Sequence, residues 1–177
     1  MLTVSTNVQF HLKHLFARIK AVLFTGRIAI LLKDGDHFVT APELCDGLVG
    51  DSVFHNIPIS GLAAEVLGLE ESPNIHGLLR QEISRETANE LEKIYLNGVH
   101  GALCCQLRLP PQDQFSKTYP QVPVGVIYTF GREYDHQFND DDIRLLDILA
   151  NDAVEIFWGC DDEQIRDLLL ANCLANK

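Results

Sequence analysis

The strongest patterns in the sequence are two helical stripes, one near each end of the chain. Between residues 7 and 23, apolar residues recur at spacings of three and four, the period of an amphipathic helix. A second stripe follows Asn139, where three consecutive aspartates suit the positive end of a helix dipole. The first stripe consists of Val8, Leu12, Leu15, Phe16, Ile19 and Leu23, and the second of Ile143, Leu146, Leu149, Ala150, Val154 and Phe157.

Strand-like segments lie between the two stripes. Residues 27–32 (RIAILL) form a short apolar run that ends at Asp34-Gly35, a strong hairpin signal, and residues 37–40 resume a strand. Residues 99–109 and 124–130 (VGVIYTF) predict two further strands. This order of elements predicts the α+β class, an antiparallel sheet with helices packed against it.

The middle of the chain predicts irregular structure and two short helices. Residues 41–56 contain proline and glycine among scattered apolar residues. Ser60 is placed to cap one short helix, and Ser84 to cap another over residues 87–96.

Length and charge narrow the class of protein. A chain of 177 residues with 46% hydrophobic residues can form one ordinary domain, which we place at residues 1–160, followed by an amphipathic helical extension at 161–177. The net charge of −11 argues against nucleic acid and anionic lipid, because both require clustered cations. No apolar run approaches the length of a membrane span, and no secretory leader is recognisable, so we expect a cytoplasmic protein.

The five cysteines predict neither a disulfide framework nor a zinc site. Their number is odd, and they form no C-x-x-C pair. Buried free thiols are therefore expected, and no metal ion is predicted. The cysteines are Cys45, Cys104, Cys105, Cys160 and Cys173.

Several segments, taken together, resemble the GAF domain, a small-molecule sensing and signalling module. Residues 57–66 (IPISGLAAEV) resemble its "IPl..GlaG.V" segment, and residues 122–127 (VPVGVI) resemble its "iGVl" strand. Phe138, followed by the three aspartates and Leu145-Leu146, is similar to the "F...D..lL" motif at the start of its last helix. The resemblance covers about residues 5 to 158, and it implies a GAF-like antiparallel sheet flanked by N- and C-terminal helices.

One segment is similar to phytochrome-type, bilin-binding GAF domains. Residues 95–103 (YLNGVHGAL) resemble the "YL.NMGV.AsL" segment that leads into their pocket strand. Where those proteins carry the Cys-His attachment pair, this chain has Glu86-Thr87, so a bilin would have to be held noncovalently or through another cysteine. The cofactor is thus none or a noncovalently bound tetrapyrrole, and the candidate ligand pocket consists of Tyr95, His100, Cys104, Cys105, Tyr128 and Phe130.

The resemblance leaves three hypotheses for function. The first is a non-enzymatic regulatory or adaptor protein that works through protein contacts and is modulated by a small ligand. The second is a sensor that binds bilin or haem, with His100 as a candidate contact. The third is a thiol-dependent enzyme similar to free methionine sulfoxide reductase. The adjacent residues Cys104 and Cys105 argue against this third hypothesis, because neighbours on a strand point to opposite faces.

The extension offers a candidate surface for a protein partner. The resemblance implies that terminal helices pack into dimers, and the extension carries an apolar stripe. The stripe consists of Ile165, Leu168, Leu169 and Leu174. We weigh equally the alternative that this segment folds back on its own domain.

Overall fold

A computed structural model describes residues 2–47, 56–69, 76–81, 84, 86–95, 101–109, 122–131 and 137–175. The helices are α1 (Thr6–Leu23), α2 (Gly61–Leu67), α3 (Glu90–Tyr95), α4 (Asp140–Gly159) and α5 (Glu163–Ala175). The strands are β1 (Arg27–Asp34), β2 (His37–Val39), β3 (Cys45–Asp46), β4 (Ile57–Pro58), β5 (Gly77–Arg80), β6 (Ala102–Arg108) and β7 (Pro123–Phe130). A single 3-10 turn, Pro42–Leu44, precedes β3 in this part of the chain.

The strands form one antiparallel sheet in the order β4-β2-β1-β7-β6-β5, with β3 also paired to β1. The hairpin predicted at Asp34-Gly35 joins β1 to β2. Gly35 has a φ of 61°, which a glycine adopts without steric cost. The predicted α+β class, an antiparallel sheet flanked by N- and C-terminal helices, is confirmed.

Helices cover both faces of the sheet and make two hydrophobic cores. Helices α1, α4 and α5 cover one face, and α2 and α3 cover the other. Successive side chains of β7 enter different cores, since Ile127 packs with the terminal helices while Val126 and Tyr128 pack beneath α2 and α3. The central strands are therefore buried on both faces, and they carry almost continuous apolar runs.

The terminal helices form where the stripes predict them. All six predicted apolar residues of α1 are buried. Asn139 caps α4 in a capping box, because its side chain accepts the Asp142 N–H and the Asp142 carboxylate accepts the Asn139 N–H. No helix in the described part of the chain is long and apolar enough to cross a membrane.

The two short helices differ from the prediction at their N-termini. Helix α2 begins directly after Ser60, as expected. Ser60 does not cap it, because the Ser60 hydroxyl donates to the Pro58 carbonyl. The helix predicted from residue 87 begins only at Glu90, after a turn in which the Glu86 N–H donates to Ser84.

Helix α5 folds back on the domain, which corrects the predicted partner surface. Ile165 and Leu169 are fully buried in the core beneath α1 and α4, and Leu168 packs against that core. The carboxylate of Asp162 accepts the Ser5 N–H (2.7 Å) and so fixes the start of α5 to the start of α1. Of the four predicted surface residues only Leu174 is well exposed, at 67%. The apolar stripe was identified correctly, but the domain's own sheet covers most of it.

This packing predicts unequal costs for two leucines of the same helix. We expect Leu169→Ala to lower the free energy of unfolding by about 2–5 kcal/mol, because it leaves a cavity in the core. Leu174→Ala, the matched control, should change it by less than about 0.5 kcal/mol. Urea denaturation followed by circular dichroism measures both, and equal effects would contradict the docking of α5.

Candidate functional site

The predicted pocket residues that the structure describes are packed side chains on two faces of the sheet. Cys104 pairs with Tyr128 across β6 and β7, and both are fully buried beneath α2 and α3. The ring of Phe130 stacks on Tyr128 with a centroid distance of 5.0 Å. Cys105 points to the opposite face, into the core formed with α1 and α4. The side chain of Tyr95, and His100 as a whole, lie outside the described residues.

A buried carboxylate, absent from the predicted pocket set, organises this face of the sheet. Oε1 of Glu92 accepts hydrogen bonds from the Tyr128 hydroxyl (2.5 Å), the Leu62 N–H (2.9 Å) and the Asn89 side-chain amide (3.0 Å). Oε2 accepts the Asn89 N–H at 3.1 Å. Glu92 has no exposed surface. We call Leu62, Asn89, Glu92 and Tyr128 the Glu92 cluster.

The Glu92 cluster explains how both short helices begin. Asn89 and Glu92 form a capping box for α3, because the Asn89 side-chain oxygen also accepts the Glu92 N–H at 2.9 Å. The same carboxylate accepts a hydrogen bond from the Leu62 N–H at the start of α2, and it thereby performs the capping role predicted for Ser60. The Asn-x-x-Glu spacing is a local sequence signal for the capping box of α3. No local signal exists for the hydrogen bond between Glu92 and Leu62, which are 30 positions apart.

Burial dominates the electrostatics of this face. Loss of hydration raises the pKa of Glu92, although the hydrogen bonds from Tyr128 and Asn89 partly oppose this shift. Burial, followed by the nearby Cys104 and Glu92, raises the pKa of Tyr128 well above its usual value. The Tyr128 hydroxyl therefore keeps its proton and donates a hydrogen bond to Glu92.

The vicinal cysteines lack the properties of catalytic thiols. Burial raises the pKa values of both Cys104 and Cys105 well above the usual range, so both thiols stay protonated. Their side chains also lie in different cores. A reaction that needs the two sulfurs together has no support in this geometry. Within the described residues, no group of three or more His, Cys, Asp or Glu residues could hold a metal ion.

Two surface clefts lie outside the cores. A cleft of about 460 Å³ opens directly beside the Glu92 cluster, and a larger one of about 550 Å³ lies between α1 and α4. We call them the α3 cleft and the α1–α4 cleft. The α3 cleft is lined by Pro58, Ser60, Gly61, Glu86, Thr87, Ala88, Asn89, Glu90 and Lys93. The α1–α4 cleft is lined by Asn7, His11, His14, Leu15, Arg18, Asp152, Glu155, Ile156, Gly159 and Cys160.

The two helices that flank the α1–α4 cleft carry opposite net charge. Helix α1 contains Lys13, Arg18 and Lys20 and no carboxylate, whereas α4 contains six carboxylates and one arginine. Arg18 and Asp152 form an ion pair across the cleft at 3.0 Å. Because Ser5 contacts Asp162 while Arg18 contacts Asp152, the two helices run antiparallel.

Comparison with solved structures identifies the fold. The GAF domain/HD domain protein from Geobacter sulfurreducens is similar with a TM-score of 0.59 and 14% identity, over 93% of this chain and 95% of that one. The GAF domain of a two-component sensor histidine kinase from Bacillus halodurans is similar with a TM-score of 0.56 and 15% identity, over 86% and 94%. A far-red cyanobacteriochrome photoreceptor gives 0.57 and 12%, over 88% of both chains.

The chain therefore has the GAF fold, and the resemblance seen in its sequence motifs is confirmed at the level of the fold. No family model and no curated protein sequence matches the chain. Since the structural likeness is at 12–15% identity, function has to be argued from this chain's own side chains.

Burial of the vicinal cysteines predicts their reactivity. We expect Cys104 and Cys105 to resist a water-soluble aromatic disulfide reagent in the native protein and to react at once in urea, because each is shielded and protonated. Peptide mass spectrometry after timed labelling distinguishes the five thiols. Rapid native labelling of either residue would restore the thiol-enzyme hypothesis.

The raised pKa of Glu92 predicts a stability that depends on pH. The folded state holds this proton to a higher pH than the unfolded state, whose glutamate ionises at about 4.3, so the contribution of Glu92 to stability falls as pH rises through the folded pKa. The unfolding free energy of the wild type minus that of Glu92→Gln should therefore decrease with pH. Urea titrations across the acidic and neutral range measure it. Exposed Glu90→Gln is the control, and a difference that grows with pH would contradict the shift.

Proposed function

We propose that this protein is a non-enzymatic regulatory or adaptor module of the GAF type, which acts through protein contacts that a small ligand modulates. The observation that carries the proposal is the distribution of exposed apolar residues. Phe10 and Ile148, both 59% exposed, lie on α1 and α4, as do Val22 and Leu145. Among the described residues, all six large apolar side chains that are well exposed belong to α1, α4, α5 or Phe24, which follows α1.

Two of the exposed apolar residues, Val22 on α1 and Ile148 on α4, are neighbours on the surface. Val22 comes four residues after Arg18, and Ile148 comes four residues before Asp152. The helices are antiparallel and Arg18 is paired with Asp152. The step from Arg18 to Val22 on α1 and the step from Asp152 to Ile148 on α4 therefore each cover about 6 Å along the helices in the same direction. Val22 and Ile148 therefore lie side by side. Contiguous exposed apolar surface of this kind is typical of interaction sites.

A second copy of this chain is the occupant that the charges favour. The basic helix α1 and the acidic helix α4 are neighbours, so a two-fold pair can place α1 of one copy on α4 of the other. Each charged helix then faces a helix of opposite charge from the other copy. We therefore place the dimer surface on α1 and α4, and not on the buried residues of α5.

The alternative functions receive less support from the side chains. Cys104, Tyr128 and Phe130 pack against α2 and α3, so the space expected for a tetrapyrrole holds the protein's own residues. The buried, protonated thiols argue in the same way against a reductase. The proposal accordingly assigns no catalytic residue, and no tetrapyrrole or other cofactor.

The dimer proposal is tested by sedimentation equilibrium. We expect the wild type to have twice the 19.8 kDa mass of one chain and Ile148→Lys to raise the dissociation constant at least about tenfold, because a charge replaces an apolar contact. Salt should weaken the wild-type dimer, since part of the attraction is ionic.

Leu174→Lys is the matched control. It places the same charge on an equally exposed leucine of α5, outside the proposed surface, and should leave the dimer intact. A wild-type protein that stays at 19.8 kDa at all concentrations would refute the homodimer. Equal weakening by both variants would show a nonspecific effect of charge and would also contradict this surface.

A further inference from the structure

The Glu92 carboxylate receives more hydrogen bonds than a helix cap requires. A capping box uses one carboxylate oxygen, and the Asn89 N–H on Oε2 meets that need. Oε1 collects three further donors, from Leu62 in α2, Tyr128 in β7 and the Asn89 side chain. The cluster therefore binds a carboxylate from several elements at once.

The donors described for this carboxylate are all neutral groups. Three are the main-chain N–H groups of Leu62, Ala63 and Asn89, one is an amide and one is a hydroxyl. A buried carboxylate held without a cation regains much hydration free energy when it leaves for water. An incoming carboxylate loses the same hydration, so the exchange is decided by how well each carboxylate fits these hydrogen-bond donors.

The α3 cleft leads to this cluster. Two of its lining residues, Gly61 and Asn89, also touch the Glu92 carboxylate. A Cβ on Gly61 would lie 2.0 Å from Oε2, so only a glycine leaves room here. The bond between the Asn89 amide and the Ser60 carbonyl, 3.3 Å long, joins two walls of the cleft above the carboxylate.

We propose that the Leu62 N–H, the Asn89 amide and the Tyr128 hydroxyl form a carboxylate-binding site that Glu92 occupies as an internal ligand, and that a small monocarboxylic acid entering through the α3 cleft displaces it. This inference deepens the proposed regulatory function, because it names the class of the small ligand. Glu86 and Glu90 line the entrance and repel a second negative charge, which selects monocarboxylates over dicarboxylates.

Displacement of Glu92 would change how α3 is held. In the described part of the chain, the hydrogen bonds that join residues 86–95 to α2, β7 and the residues before α2 all involve Asn89 or Glu92. A ligand that takes over the donors of Leu62 and Tyr128 therefore removes the bonds of Glu92 to α2 and β7 and leaves α3 joined to the sheet and to Ser60 by Asn89 alone. Ligand binding is thus coupled to the position of a helix.

The test is rescue of a truncated side chain. Glu92→Ala should lower the melting temperature, and acetate should raise it again in a saturable manner, by about elevenfold in the folded-to-unfolded ratio at ten times its dissociation constant. Sodium chloride at equal ionic strength should not do so. Glu163→Ala, which removes an exposed carboxylate of α5 outside the α3 cleft, should respond to acetate no more than the wild type does, because Glu92 still occupies its site. Malonate, with its second charge, should rescue less well than acetate or propionate.

Wild-type protein tests displacement itself and does not depend on the variant folding. Acetate and propionate should shift the amide resonances of Leu62 and Asn89 saturably in ¹⁵N–¹H spectra. In Glu92→Ala, where no internal carboxylate competes, adding Tyr128→Phe should weaken acetate binding several-fold. Rescue of Glu92→Ala with no wild-type response would overturn displacement and leave Glu92 a permanent occupant. No response in either protein would overturn the site. Both readouts are independent of oligomeric state, so a failed dimer test is distinguishable from a failure here.

Discussion

Burial of the central strands on both faces is the constraint on which the rest of the structure depends. Strands β1, β6 and β7 send alternate side chains into two cores, so a polar side chain on them needs a partner within the protein. Tyr128 finds Glu92, and the Gln106 amide donates to the Val66 carbonyl at 2.6 Å. Helix α2 is thereby held at its first turn through Glu92 and at its last through Gln106. Tyr128 and Gln106 thus add directional contacts to the apolar packing of the short helices on the sheet.

The terminal helices are attached by a different kind of contact. Their buried faces are largely apolar, and their polar contacts with one another lie at the surface, in the Arg18–Asp152 ion pair, and at the helix ends, where Asp162 accepts the Ser5 N–H. The α2–α3 layer also closes an apolar core, but it is in addition oriented by hydrogen bonds, which unlike apolar contacts are directional. A small polar ligand acts on such bonds, which is why the proposed ligand site lies in this layer and the proposed dimer surface in the other.

The sequence predicted the elements whose signals are local. The stripes of α1 and α4, the Asp34-Gly35 turn and the Asn139 cap each depend on residues within a few positions of one another, and each is present. The partner surface on α5 was wrong for Ile165 and Leu169 because a stripe identifies an apolar side and not the surface that covers it. The Glu92 cluster was missed because it joins α2, α3 and β7, and Ser60 was assigned the role that the distant Glu92 performs.

The GAF fold and the function proposed for this chain rest on different observations. Likeness at 12–15% identity fixes the path of the backbone, but ligand class depends on which side chains fill the space between the sheet and the short helices. In this chain Tyr128, Phe130 and Cys104 fill it with packed surface, and the carboxylate of Glu92 supplies its polar centre. A large planar ligand would have to displace that core, whereas a small carboxylate has only to replace one side chain whose donors are already in place. The chemistry of the cluster therefore favours a small anion with one charge.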